Sequence, residues 1–295
     1  MKEIYRCLFV FAAFFCLFPN VKAQDSTLSD LFPQESYFEA GLSYLSNSVY
    51  LGRHDSSRIP YLTPSFSYYN KSGFYASGYV SYLNSTGISR IDHVEFDAGY
   101  IFTAHKFSGE VYAAKDFYNS KSINVKSETE GSLNGSLSYD FGFIEPVLKE
   151  GIVIEKTNDY YAEVGLEHSF FLADDNFEIT PTFFINASTQ NYYNLYYTKR
   201  KYSAKNTNRR GPGTIIKAYL PNASEFKIMD YEFSLPLDYS AGKFIFDLNP
   251  TLADPVNPNI VVTTTTPPSG ISTTKTRTEK LSSIFYWSAS ITYSF

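Results

Sequence analysis

The last eleven residues, Phe285-Tyr-Trp-Ser-Ala-Ser-Ile-Thr-Tyr-Ser-Phe295, constrain this 295-residue chain more than any other segment. Counting back from Phe295, every second residue is apolar or aromatic: Tyr293, Ile291, Ala289, Trp287 and Phe285. The positions between them, Ser294, Thr292, Ser290, Ser288 and Tyr286, all carry hydroxyls. A period of two puts the two sets on opposite faces of a β-strand. Eleven residues also match the length of about 9–11 that a tilted strand needs to cross a bilayer. Such a strand fits a wall with lipid on one side and a wet lumen on the other.

This ending resembles the C-terminal signature of Gram-negative outer-membrane β-barrels, in which a terminal Phe after alternating aromatics is read by the barrel-assembly machinery. The resemblance implies that Trp287, Tyr293 and Phe295 form an assembly signal and that this machinery is a partner. The N-terminus agrees. Lys2 and Arg6 precede an uncharged apolar run at 8–18, and Val21-Lys22-Ala23 offers a small residue at a cleavage point. That is the layout of a secretory signal peptide spanning 1–23, and its apolar run is shorter than the roughly 20 residues of a membrane helix. Cys7 and Cys16 both lie inside it, and Ala13-Phe14-Phe15 lacks the small residues of a lipoprotein site. The mature chain then has no cysteine, hence no disulfide and no thiol nucleophile. It keeps 22 basic and 29 acidic residues, a net charge of −7, and no nucleic-acid partner is expected.

The 26 Tyr and 26 Phe suit aromatic girdles at the two bilayer interfaces. After a periplasmic segment at 24–35, the alternation recurs over 36–295. It predicts strands near 36–46, 60–70, 73–84, 91–102, 106–117, 128–141, 143–154, 159–171, 177–187, 227–239, 242–252 and 283–295. Twelve is an even number, as a bacterial up-and-down antiparallel transmembrane β-barrel requires. Ten or fourteen remain open, because 192–202 and 214–220 could extend strands or add a hairpin. Short turns at 71–72, 103–105, 142, 173–176 and 240–241 mostly alternate with links at 47–59, 85–90, 118–127, 155–158, 188–226 and 253–282. Turns on one side and long extracellular loops at 188–226 and 253–282 on the other reproduce barrel topology.

Parity assigns the faces. A charge facing lipid at midplane costs about 2–4 kcal/mol for a basic group, so charged positions are expected to point inward. Glu39, Glu95, Asp97, Glu110, Glu163, Glu167, Glu178, Asp230 and Glu232 then line the lumen, with few basic partners on the strands. That composition implies a hydrated, cation-preferring pore, a lumen neutralised by an inserted basic segment, or simply a solvated acidic wall. The 188–226 link carries Lys199, Arg200, Lys201, Lys205, Arg209, Arg210 and Lys217 against a single acid, Glu225. It could narrow the pore as a constriction loop, or hold lipopolysaccharide phosphates outside; the second needs no special fold. The 253–282 link, rich in Thr and Pro, is expected to be exposed and mobile.

No chemistry stands out. In His54-Asp55-Ser56 adjacent residues project in different directions and cannot form a relay. No stretch matches the His-x-Ser-Asn-Gly of outer-membrane phospholipases, and no phosphate loop or EF-hand occurs. His93, Glu95 and Asp97 share a face, but neighbours at i and i+2 stand about 7 Å apart along a strand, too far to share one small cation. Neither a metal nor a cofactor is expected. Tyr50-Leu51-Gly52-Arg53 with Ser72-Gly73-Phe74-Tyr75 resembles uncharacterised Gram-negative outer-membrane proteins that pair a Tyr-x-Gly-Arg element with a Ser-Gly-Phe-Tyr hairpin, and this implies no activity. The reading is a narrow porin-like channel in the outer membrane, its partners lipid, lipopolysaccharide and small solutes or cations. The alternatives are a non-conducting structural or surface-binding barrel, and a lipid-modifying enzyme that lacks its motif.

Overall fold

A computed structural model describes residues 35–85, 87–173, 175–198 and 214–295. The expected leader 1–23, the segment 24–34 and the basic run Lys199, Arg200, Lys201, Lys205, Arg209 and Arg210 lie outside them. Twelve antiparallel staves close into a barrel. The first seven are single strands: β1 (Tyr37–Leu45), β2 (Tyr61–Tyr69), β3 (Phe74–Ser85), β4 (Ile88–Ala104), β5 (Phe107–Tyr118), β6 (Gly131–Tyr139) and β7 (Glu145–Ile154). The eighth is split into β8 (Asp159–Glu167) and β9 (Phe170–Leu172), and the ninth into β10 (Phe177–Ile179) and β11 (Thr182–Ser188). A short helix α1 (Asn191–Tyr196) and strand β12 (Ile215–Tyr219) follow in the link. The tenth stave is β13 (Lys227–Ser234) with β14 (Leu237–Ala241), and the eleventh is β15 (Phe244–Pro255). After β16 (Ile260–Thr266) and β17 (Thr273–Thr278), β18 (Ile284–Ser294) is the twelfth.

Proline explains two of the breaks. Pro181 and Pro236 have no N–H to give the ladder, so the ninth and tenth staves are interrupted there. Thr180 N–H bonding to Pro236 O at 3.0 Å, and Leu235 N–H to Pro250 O at 3.1 Å, carry the pairing across the gaps. The ring closes between the first and last staves, with Leu42 opposite Ile291 and Ala40 opposite Tyr293. Phe295 N–H adds one more bond, 2.9 Å to Phe38 O. Each stave is thereby paired on both sides, which satisfies the backbone in lipid.

The alternating faces follow the predicted parity. Phe74, Tyr82, Phe96, Phe107, Val111, Phe117, Leu133, Val164, Phe246 and Ile291 form part of an exposed apolar outer wall. Three charges break the expectation that all charge points inward, one of them Asp254 near the mouth end of β15, opposite Tyr231. Lys115 shares the outward parity of Phe117 and rests over its ring at 5.7 Å, and Glu150 lies outward between Gly135 and Ala162. Nothing in the structure explains Glu150.

The links differ from expectation in three places. The 85–90 link is not a long loop, because β3 and β4 run to Ser85 and from Ile88. The 188–226 link forms α1 and β12 instead of extending the wall. The Thr-rich stretch expected to be mobile forms the hairpin β16–β17, and β12 joins it in a three-stranded sheet. β-branched Thr and Val at consecutive positions favour extended backbone, and pairing with β12 stabilises it.

One close approach in the wall is testable. Gly165 on β8 lies under the ring of Phe184, so that an added Cβ would meet ring carbons at 2.4 Å. Gly165→Val should lower barrel stability by about 1–3 kcal/mol, seen as a lower temperature for loss of the fast-migrating folded form on electrophoresis. Gly135→Ala, whose nearest neighbours stand at 3.9 Å, should leave that temperature unchanged.

Candidate functional site

The inner wall carries the acids. Glu39 accepts from Ser294 Oγ at 3.1 Å, Glu110 from Tyr75 Oη at 2.5 Å, and Glu232 from Tyr286 Oη at 3.4 Å. Glu163 is in register with Lys149, whose Nζ lies 4.5 Å from the centre of the Phe184 ring. Glu95 is opposite Asp116, and Asp97 opposite Ser77. Asp230, opposite Asn186, is fully buried. Glu167 pairs in register with Glu145.

Strand register assembles what sequence order scatters. Glu178, Asp238 and Asp247 stand side by side on three adjacent staves, a row of carboxylates on the inner face near the turn end of the barrel. Phe177, Tyr239 and Phe246, one residue along each strand, form the matching outer row. Glu145 and Glu167 continue the acids around the same end, and Glu39 sits near it on β1. Glu145 and Asp247 were not singled out from sequence, although parity within their strands would have found both. Like charges placed opposite one another destabilise a sheet unless water or cations screen them.

Parity alone could not find Asp92. A bulge between the Ser81–His93 and Tyr82–Ile91 pairs turns it inward, where it is completely buried. Its carboxylate accepts from Tyr61 Oη at 2.6 Å, Ser122 Oγ at 2.7 Å and Arg90 Nε at 2.7 Å. These bonds tie the 119–130 loop to the wall.

The opposite end, where the long links lie, is filled by those links. Leu51, Val125, Tyr192, Tyr193, Met229 and Val261 belong to one buried apolar cluster drawn from four separate links and the rim of β13. Arg53 threads through it with 1% exposure. Its Nη1 donates to Leu51 O at 3.0 Å and Met229 O at 2.6 Å, and its Nη2 to Val256 O at 2.8 Å and Asn257 O at 3.1 Å. Glu279 lies 3.9 Å away. Four carbonyls on three chain segments thus share one planar fork, geometry a lysine could not supply. Asp159, at the start of β8, accepts the N–H groups of Asn191 at 2.8 Å and Tyr192 at 2.7 Å, which anchors α1 over the mouth. Burial holds the Tyr192 and Tyr193 hydroxyls well above the usual phenol range, so both stay neutral.

The histidines occupy unrelated places. His54 Nδ1 lies 2.5 Å from Asp55 O, while the Asp55 carboxylate accepts from Ser57 N–H at 2.7 Å and makes a short bond with Tyr196 Oη. His105 sits in a turn at φ 61°. His168 packs edge-on to Phe170 at 4.6 Å. His93 points inward and is stacked on Tyr118 at 4.1 Å.

A closed ladder with an apolar exterior and an acid-lined interior has one setting in which both faces are solvated as they require. This chain is a closed, twelve-staved antiparallel transmembrane β-barrel. No protein-family model matches it, and no curated protein matches it in sequence. The solved structures it is similar to include the KdgM porin, at 9% identity and TM-score 0.43, covering 88% of this chain and 99% of that one. Salmonella typhi OmpF in complex with daunomycin is similar at 7% identity and TM-score 0.33, over 88% and 97% of the two chains. Pseudomonas aeruginosa OccK3 is similar at 9% identity and TM-score 0.29, over 91% and 98%.

The mouth has a built-in pH dependence. Glu155, in the link 155–158, accepts from Thr129 Oγ1 at 3.1 Å, and burial together with nearby Asp159 pushes its carboxyl up to about 8. A carboxyl that holds its proton more tightly folded than unfolded stabilises the fold fully at acid pH and loses that contribution as pH rises from about 4.3 toward about 8. The thermal midpoint of the folded barrel should therefore fall between about pH 5 and about pH 9, and Glu155→Gln should flatten part of that fall. Identical pH profiles for the two proteins would remove Glu155 from this role.

Proposed function

We propose that the barrel is a narrow, cation-preferring channel for small solutes or ions, with no catalytic role. The observation that carries this reading is the in-register row Glu178–Asp238–Asp247, extended by Glu145 and Glu167. Rings of carboxylates concentrate cations and repel anions in a confined aqueous path. Glu95, Asp97, Glu110, Glu163, Asp230 and Glu232 lengthen the acidic path toward the outer mouth. Twelve staves enclose less space than the sixteen of a large porin, so the path is narrow. The full-length protein, refolded and inserted in planar bilayers, should give cation-selective steps. The double variant Asp238→Asn, Asp247→Asn should shift the reversal potential toward zero in a salt gradient. Steps with no cation preference in the unsubstituted protein would overturn the reading.

The filled mouth favours a second reading, a non-conducting or surface-binding barrel. A pocket of about 320 Å³ opens there beside Arg53, His54, Tyr193, Tyr197, Arg277 and Glu279. Silence in bilayers across a wide voltage range would favour it over the channel.

Two further assignments belong to this reading. Lys199, Arg200, Lys201, Lys205, Arg209 and Arg210 hold lipopolysaccharide phosphates outside the mouth, by charge-assisted bonds that Lys and Arg form readily. Trp287, Tyr293 and Phe295 serve as the assembly signal. Deleting 199–213 should leave single-channel conductance unchanged and weaken retention on lipopolysaccharide-coated surfaces. A rise in conductance would instead make that segment a constriction.

A further inference from the structure

We propose that His93, Glu95 and Asp116 form a binding site for a divalent transition-metal ion on the inner wall of the barrel. The residues come from two neighbouring staves. His93 and Glu95 are successive inward positions of β4, and Asp116 on β5 is the direct cross-strand partner of Glu95. One ligand atom from each lies within 4.8 Å of the other two. His93 Nε2 stands 2.7 Å from Asp116 Oδ1 and 3.8 Å from Glu95 Oε2.

These spans suit a shared ion. Ligands held at about 2.0–2.2 Å in a tetrahedral arrangement are separated by about 3.4 Å. The observed 2.7 Å and 3.8 Å lie on either side of that value, so small side-chain rotations complete the set. Spacing along one strand excluded His93, Glu95 and Asp97 as a site. The side chains close that gap, since the His93 and Glu95 ligand atoms approach to 3.8 Å and Asp116 reaches His93 from the neighbouring strand in place of Asp97.

Two features beyond distance support the assignment. The imidazole is fixed before any ion arrives, stacked on Tyr118 with ring centres 4.1 Å apart and 16° between planes. Such preorganisation removes part of the ordering cost of binding. Glu95 and Asp116 are also like charges directly opposite on a sheet, a destabilising arrangement that a divalent ion between them reverses. Asp116 is buried while Glu95 is about a third exposed, so the site is closed on the wall side and open to the lumen. One nitrogen and two carboxylate oxygens suit zinc, copper or manganese better than calcium, which takes six to eight oxygens. With three protein ligands, the remaining positions go to water or to a passing solute.

The test uses untagged, refolded full-length protein in detergent, titrated calorimetrically with Zn²⁺. One ion should bind per barrel. His93→Gln should weaken binding by a factor of about ten or more, while His168→Gln, on a histidine away from the site, should not. His93→Gln leaves every lumen carboxylate in place, so diffuse attraction to the acidic wall predicts coincident titrations for the two proteins. That coincidence would overturn the proposal, as would failure of Zn²⁺ to bind the unsubstituted protein. Should His93→Gln fail to give the folded form on electrophoresis, Glu95→Gln and Asp116→Asn supply the same comparison. Copper loading gives an independent check: its electron paramagnetic resonance spectrum should show coupling to a single imidazole nitrogen, absent from His93→Gln. The calorimetric and spectroscopic results do not depend on whether the barrel conducts.

Discussion

Backbone hydrogen bonding in lipid is the constraint on which the structure depends. Inside a bilayer each N–H and C=O left unpaired costs several kcal/mol, and no water is present to rescue it. A sheet meets that demand only if it has no edge. Here the ladder closes on itself: the last stave bonds to the first along seven register pairs, Phe295 N–H reaches Phe38 O beyond them, and among the described residues the three-residue β9 pairs on one side. Once the ring is closed, the outer face is predominantly apolar and most bulky polar groups are displaced inward or to the ends, with Glu150 an exception. A polar interior follows from closure.

The energetic centre of the molecule therefore lies in an unusual place. A soluble β-protein hides its apolar side chains between sheets, whereas this wall turns them outward and keeps its largest dry cluster above the barrel, among the links. Tyr192, Tyr193 and Tyr196 pack there around a buried guanidinium. Removing Arg53 would strand four carbonyls from three segments, so the side chain acts as a tie between the first link, β13 and the 256–257 turn. In the lower half of the lumen, register on three neighbouring staves sets Glu178, Asp238 and Asp247 side by side.

Much of this was legible beforehand. Alternation located all twelve staves, with every end within three residues of the observed one. The errors share a cause. Asp92 faces inward because a bulge resets parity, and a bulge is a property of two strands. The Thr-rich stretch pairs as β16 and β17 because β12 is beside it, a neighbour more than forty residues earlier in the chain. For the same reason Asp116 could not be placed beside His93 and Glu95 from sequence.

The sequence by itself determined that the chain is an all-β closed barrel and which positions of its strands build the apolar outer wall. Those properties depend on a period of two, which is local and is repeated at every strand. Tertiary structure alone decided which acids stand shoulder to shoulder, which loop residues meet over the mouth and where Arg53 finds its four carbonyls. Register, bulges and long-range packing set those meetings. They arise from the balance of many strands closing together, and no single segment carries that information.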